Sequence, residues 1–156
     1  GNEKYIADAI YCNDRSVSSG TGIGTTETTY AAKTRGDNGQ PTLKCPNNND
    51  KFTKSTTIGN GKLTRMIGLI TSDEVMYAGG TVSTNTEYYL YSGTFYWTMA
   101  PYSYASGSAG VCGVGDLGDL GSRYVDSPFA VRPVVSLKSD AISGGSGTAA
   151  SPFLVG

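Results

Sequence analysis

The sequence predicts an α+β fold, a small, mainly antiparallel twisted sheet with two helices and long irregular loops. Three observations carry this expectation. Apolar residues alternate in two extended stretches: Phe95, Trp97 and Met99 share one face against Tyr96, Thr98 and Ala100, and Val131, Pro133, Val135 and Leu137 share one against Arg132, Val134, Ser136 and Lys138. Helix start and stop signals bracket residues 71–78. Glycine (22) and tyrosine (11) abound with Thr and Ser, which favours short strands and turns over a helical bundle.

A chain of 156 residues is one domain's worth, here 1–156, and buries roughly two-thirds of its unfolded surface. A net charge of −1 provides no basic field, so nucleic acid is not an expected partner. No apolar run approaches the roughly 20 residues that cross a bilayer, so a membrane is expected to be reached only through a segment absent from this chain.

In chain order, Glu3 to Tyr11 (EKYIADAIY) places Ile6, Ala9 and Ile10 on one helical face and reads as a short core-facing helix. Ser16 to Thr29 is small and polar and reads as a loop. Tyr30 to Gly61 is polar too, with turn chemistry at DNGQP (37–41) and PNNND (46–50). Asn47, Asn48, Asn49 and Asp50 carry oxygens that suit calcium, but without EF-hand spacing, and an Asn-rich turn is the commoner explanation. Ile67 to Ile70 reads as a buried strand. Thr71 and Ser72 are N-cap candidates for a helix over 71–78, with Asp73 and Glu74 in its first turn and Gly79-Gly80 at its stop. Tyr88, Tyr89 and Tyr91 are expected to pack at the core edge. The strand at 95–100 is expected to bury Trp97 and to stop at Pro101, and a further sheet segment is expected near 111–125. The strand near 131–138 is expected to bury the Val135 face, with Pro133 at a strand start or edge.

Cys12 and Cys45 are each flanked by apolar residues and turn formers, and are expected to be joined by a disulfide, with Cys112 free; two reduced buried thiols are the alternative. With no histidine and no C-x-x-C pair, zinc is not expected, nor is any other cofactor.

The patterns YYLYSGTFYWTMAPYSY (88–104) and FAVRPVVSLKSD (129–140), with IGLITSDEVMYAGG (67–80) and KYIADAIYCNDRSVSS (4–19), resemble a known domain. It is the C-type-lectin-like domain of formylglycine-generating-enzyme type found in bacterial surface and pilin-like proteins, some of them variable proteins of diversity-generating retroelements. The resemblance implies a C-type-lectin-like fold and a ligand-binding, receptor-binding or adhesin role outside the cell, on a bacterial surface, pilus or phage particle. The implied partner is a protein or glycan on another cell or host surface. A structural pilin-like subunit without a dedicated ligand site is the alternative.

Between Pro101 and Val131 the apolar residues Val111, Val114, Leu117, Leu120 and Val125 recur as anchors, separated by Tyr, Ser, Gly, Ala, Asp and Arg, the types that adenine-directed mutagenesis yields in retroelement variable proteins. Residues between such anchors point outward, because burying them unpartnered costs about 1 to 3 kcal/mol each. The expected ligand-binding residues are therefore Tyr102, Ser103, Tyr104, Ser106, Ser108, Asp116, Asp119, Ser122, Arg123, Tyr124, Asp126 and Ser127. No enzymatic role is expected. Gly113 to Gly118 matches G-x-G-x-x-G formally but lacks a βαβ context. Asp116, Asp119 and Asp126 read as solvated turn carboxylates. The formylglycine-making oxidase uses two active-site cysteines, and only Cys112 falls near the right region.

Overall fold

The computed structural model describes residues 2–61 and 63–156. Its elements in order are β1 (Tyr11–Cys12), β2 (Val17–Ser19), β3 (Thr28–Tyr30), α1 (Ala31–Asn38), β4 (Lys51–Phe52), β5 (Gly68–Leu69), α2 (Ser72–Tyr77), β6 (Tyr96–Ala105), β7 (Ser108–Val114), β8 (Leu120–Tyr124), β9 (Pro133–Val134), β10 (Ile142–Gly144) and β11 (Leu154–Val155). Five strands form one antiparallel sheet in the order β2-β3-β6-β7-β8, and three two-stranded ladders, β1-β4, β5-β9 and β10-β11, surround it. This is an α+β architecture with two α-helices and a mainly antiparallel sheet.

The long β6–β7–β8 meander is the frame. Tyr96, Thr98 and Ala100 of β6 and Cys112 and Val114 of β7 turn toward the helices, where they meet Leu120, Ala32 of α1, Val75 of α2, Ile70 and Tyr88 in one buried cluster. Thr98 is accommodated there because its hydroxyl donates to the Cys112 carbonyl (2.6 Å) and accepts from the Ala100 N–H (3.2 Å). The lower half of β6 has a second edge that β3 does not reach. It is closed by Ala130, which exchanges main-chain bonds with Phe95 and Trp97, and by the Ile70 carbonyl, which accepts from Met99.

This reverses the expected sides of both flanking strands. Tyr96, at 1% exposure, carries the core face of β6, whereas Trp97 is half-buried on the opposite face, 4.9 Å from the Phe129 ring, which also stacks on Phe95. In the closing segment Val131, Val135 and Leu137 are exposed while Arg132 and Val134 turn inward. Arg132 does so because its guanidinium lies 5.0 Å over the Tyr96 ring and bonds the Leu90 carbonyl. Alternation tells which residues share a face, and the partners decide which face is inside.

Pro101 does not stop the strand. Pairing runs on to Ala105 because the register shifts on both sides of Pro101, the irregularity at which a sheet tolerates a residue without an N–H. The sheet segment expected near 111–125 is present as two regular strands, β7 and β8, joined by one tight turn, with another joining β6 to β7. Ser106 (φ 52°) and Gly107 (φ 78°) both adopt the left-handed region between Ala105 and its pair Ser108, as a two-residue hairpin turn requires.

Other expectations divide. The helix over 71–78 is present as α2, with Thr71 and Glu74 forming a reciprocal capping box. The helix over 3–11 is replaced by one 3₁₀ turn at Asn2–Tyr5. Beyond it the main chain is claimed by other segments: Ala7 donates to Ser136, Ile6 bridges Leu137 and Tyr11 pairs with Phe52. The loop at 16–29 is the hairpin β2–β3, and the polar stretch after Tyr30 opens with α1. Tyr88 is buried and Tyr91 packs beside it, but Tyr89 is 85% exposed.

Candidate functional site

The expected ligand-binding residues fall in three places on the meander. Ser106, Ser108, Tyr124, Asp126 and Ser127 lie at the end where β6 turns into β7 and β8 leaves the sheet. Asp116 and Asp119 lie at the opposite end, in the turn from β7 to β8, with strand β7 separating the two by roughly 20 Å. Tyr102, Ser103, Tyr104, Ser122 and Arg123 lie between. One continuous surface does not hold all twelve.

Register sorts the middle group by face. Gly110, Cys112 and Val114 of β7 stand opposite Tyr124, Ser122 and Leu120 of β8, so Ser122 and Tyr124 share the helix-side face with the core. The helices stop short of this corner, leaving Ser122 exposed and Tyr124 61% exposed. Tyr102 packs against the core from the same side, with the Lys33 ammonium of α1 5.5 Å from its ring centre. Between the two tyrosines lies Gly110, where an added Cβ would stand 2.4 Å from the Ser122 hydroxyl. Tyr102 and Tyr124 thus flank Gly110 on one face, and this patch with Ser122 is the saddle. Burial raises the pKa of the Tyr102 hydroxyl, Lys33 pulls against that shift, and the group remains a donor across neutral pH.

The register shift at Pro101–Ser103 sends Tyr104 the other way. It pairs with Ala109 and therefore shares the far face with Val111 and Val125, over a hollow of about 230 Å³ against the β2–β3 turn. Arg123 also faces that side, and it is a brace rather than an outstretched contact. It donates to Asp119 (2.7 Å) and to the Ser122 carbonyl (3.1 Å), and its guanidinium sits 5.5 Å from the Phe95 ring. Gly113, Gly115 and Gly121 make room for it: a Cβ at Gly113 would come within 2.7 Å of the Arg123 Cγ. Of the expected anchors Val114 and Leu120 are buried, Val111 is half-buried, and Leu117 and Val125 are exposed.

Sequence reasoning missed the charged centre behind this face. Arg35 of α1 holds Asp73 with Nε (2.6 Å) and Nη2 (2.8 Å) and Asp14 with Nη1 (2.9 Å), joining α1, α2 and the segment after β1. Asp73 also accepts from the Thr42 N–H. The hydrogen bonding of the guanidinium to Asp73 leads the causes that raise its pKa, against the cost of burial. A cleft of about 220 Å³ opens beside it, lined by Tyr11, Lys44 and Glu74 among others, but the guanidinium and both carboxylates are already engaged with one another. The centre is a fastener. The only signal in the sequence was Ala31-Ala32-Lys33 followed by Arg35 and, four residues later, Gly39 at φ 62° as helix stop.

Cys12 and Cys45 form a disulfide with Cα atoms 5.8 Å apart, and Cys112 is a free, buried thiol. Burial pushes the Cys112 pKa up to about 12, so it is a poor nucleophile. Among the described residues no group of three His, Cys, Asp or Glu side chains is placed to hold a metal, and no helix is long and apolar enough to cross a membrane. The weighed calcium turn is a 3₁₀ turn, Asn48–Asp50, whose carboxylate is held by Arg15 at 2.7 Å. Comparison with family models, curated proteins and solved structures finds no match to this chain in any of the three.

Proposed function

We propose that this chain is an extracellular ligand-binding domain, a receptor-binding or adhesin module on a C-type-lectin-like scaffold, with the Tyr102–Ser122–Tyr124 saddle as the centre of its recognition surface. The observation that supports this reading is the placement of two partly exposed tyrosines around a glycine floor on a rigid three-stranded meander. Tyrosine offers large contact area at low entropic cost, and binding residues work best when rigid elements hold them. Ser103 beside the saddle, and Ser106, Ser108, Asp126 and Ser127 at the adjoining end of the sheet, supply adaptable hydrogen bonds. The disulfide favours an oxidising compartment, in keeping with a bacterial surface, pilus or phage particle. The residue types of the meander suit the variable protein of a diversity-generating retroelement, and that reading requires a near-repeat with adenine substitutions beside the gene.

Host-surface proteins and glycans arrayed and probed with the wild type and Tyr124→Ala test the reading. Specific capture that weakens by about 2 kcal/mol in the variant, at unchanged melting temperature, is the expected result. Capture indifferent to Tyr124, Tyr102 and Ser122 removes the saddle as the site.

A structural, pilin-like subunit is the second reading, and one observation favours it. Val135, Leu137, Ile142, Leu154 and Val155 are all exposed apolar side chains around the β10–β11 ladder. Self-association in sedimentation runs, abolished by Leu154→Glu and untouched by Tyr124→Ala, would support this reading over the first.

A further inference from the structure

Two asparagines in the chain are followed by glycine, Asn38-Gly39 and Asn60-Gly61. A following glycine has no Cβ to hinder attack by its main-chain nitrogen on the asparagine side chain, which is the route by which asparagine loses ammonia. We propose that Asn60 is a self-modification site: it converts spontaneously to aspartate and isoaspartate in the folded protein, while Asn38 is protected, and the conversion loosens the segment from Thr53 to Gly61 from β4.

Both asparagines are exposed, so access of water does not distinguish them. The state of the attacking nitrogen does. Gly39 caps α1, and its N–H donates to the Arg35 and Gly36 carbonyls. It keeps its proton there, and Arg35 fixes this helix end to Asp73 and Asp14, so the Asn38-Gly39 pair rearranges only when the end of α1 opens. Gly61 lies outside every helix and strand, and its N–H makes no hydrogen bond among the described residues. Nothing there holds its proton.

In the step itself the Gly61 nitrogen gives its proton to hydroxide and bonds to the Asn60 side-chain carbonyl carbon. The bond from that carbon to the amide nitrogen breaks, and the nitrogen leaves as ammonia with a proton from water. Water then opens the cyclic imide at either carbonyl, giving aspartate at one and isoaspartate at the other. The net change is one water in and one ammonia out, with no electron transferred.

Asn60 sits where the segment is fastened. Its main-chain N–H donates to the Lys51 carbonyl of β4 and its side-chain amide to the Asn49 carbonyl, both at 2.9 Å. A carboxylate has no hydrogen for Asn49, so two acceptors then face each other. Isoaspartate also adds one main-chain atom between the Lys51 anchor and the next one, the Leu63 N–H on the Thr53 carbonyl (3.0 Å), and the two anchors no longer match. The Asn49 carbonyl still accepts from Arg15 Nη2 (3.1 Å), so the Asn48–Asp50 turn stays in place while the segment beyond β4 lets go.

Peptide mapping of the intact disulfide-bonded chain during incubation at mildly alkaline pH, with isoaspartate read by enzymatic methylation, tests the proposal. The reduced chain in urea is the reference, and there both pairs should convert at similar rates. In the folded chain Asn60 should convert faster than Asn38 by about tenfold or more. Amide exchange in the converted fraction should rise around Lys51 and Leu63 and stay unchanged in α1. Asn60→Gln should abolish the conversion at this position, and Asn60→Asp, which loses the Asn49 contact without lengthening the main chain, should loosen the segment less than isoaspartate does. The proposal is overturned if Asn38 converts as fast as Asn60 in the folded chain, if neither converts while the unfolded reference does, or if the converted chain exchanges its amides like the unconverted one.

Discussion

The first third of the chain and the β6–β8 meander are held by different forces. From Tyr11 to Phe52 the buried side chains are few and mostly polar: Asp14, Asp50 and Thr28 are buried, α1 buries only Ala32, and position comes from one disulfide and two arginines that each hold carboxylates. The meander is held by main-chain ladders and by Tyr96, Ala100, Cys112, Val114 and Leu120 packed against the helices. The difference teaches where each region is vulnerable. A charge-fastened shell responds to reductant, acid and loss of a single cation, while a packed meander responds to loss of volume.

Arg35→Leu is the sharpest test of that contrast. It leaves two nearly buried carboxylates without their guanidinium, and a loss of about 3 to 5 kcal/mol is expected in urea unfolding. The exposed Lys33–Asp37 pair is the internal control, since Lys33→Ala should cost about 0.5 kcal/mol or less. Equal effects would erase the distinction between fastener and surface pair.

Reducing Cys12–Cys45, which closes 33 residues, should cost about 3 to 4 kcal/mol in the chain-entropy account. Amide exchange should accelerate first in β1, β4 and the 47–50 turn while β6 and β7 stay protected. Uniform acceleration would make the two regions one cooperative unit.

Within the meander the contrast is between faces. Tyr96→Ala should cost about 3 to 5 kcal/mol as a core truncation, and Trp97→Ala about 2 kcal/mol, because its ring rests on Phe129 and keeps one side in water. A larger loss from Trp97 would return the core to the opposite side of the sheet.

The smallest effect is acid sensitivity at Asp50. Its folded carboxyl titrates below the ordinary unfolded value, so its stabilisation is fully present above about pH 4 and is lost as pH falls through the folded value. Urea midpoints at pH 6 and pH 3 should therefore differ less in Asp50→Asn than in wild type.

How much of this was legible in the sequence follows from the same division of forces. Helix α2 was legible because Thr71, Glu74 and Gly79 are local signals read within one element. The Cys12–Cys45 pair and the extended stretches around 68–69 and 96–100 were legible for similar reasons. Helix α1 was not, because Arg35 finds its anchors 21 and 38 residues away in Asp14 and Asp73, and no local period encodes that. The inward face of β6 was hidden too. Tyr96 and Trp97 are equally suited to burial, and the choice was made by Arg132, Phe129 and Ala130 from a distant segment. The twelve candidate residues were found as a run but not as a surface, since a register shift at Pro101 and the pairing of Arg123 with Asp119 decide which way each points.

The most direct measurement is tolerance. Two libraries, one randomised at Tyr102, Ser122 and Tyr124 and one at Thr98, Ala100 and Cys112, would be selected for protease resistance and sequenced. If the saddle is a display surface resting on an independent scaffold, most members of the first library survive and few of the second do. If the first library is lost as readily as the second, those tyrosines are part of what holds the sheet together, and the recognition surface lies elsewhere.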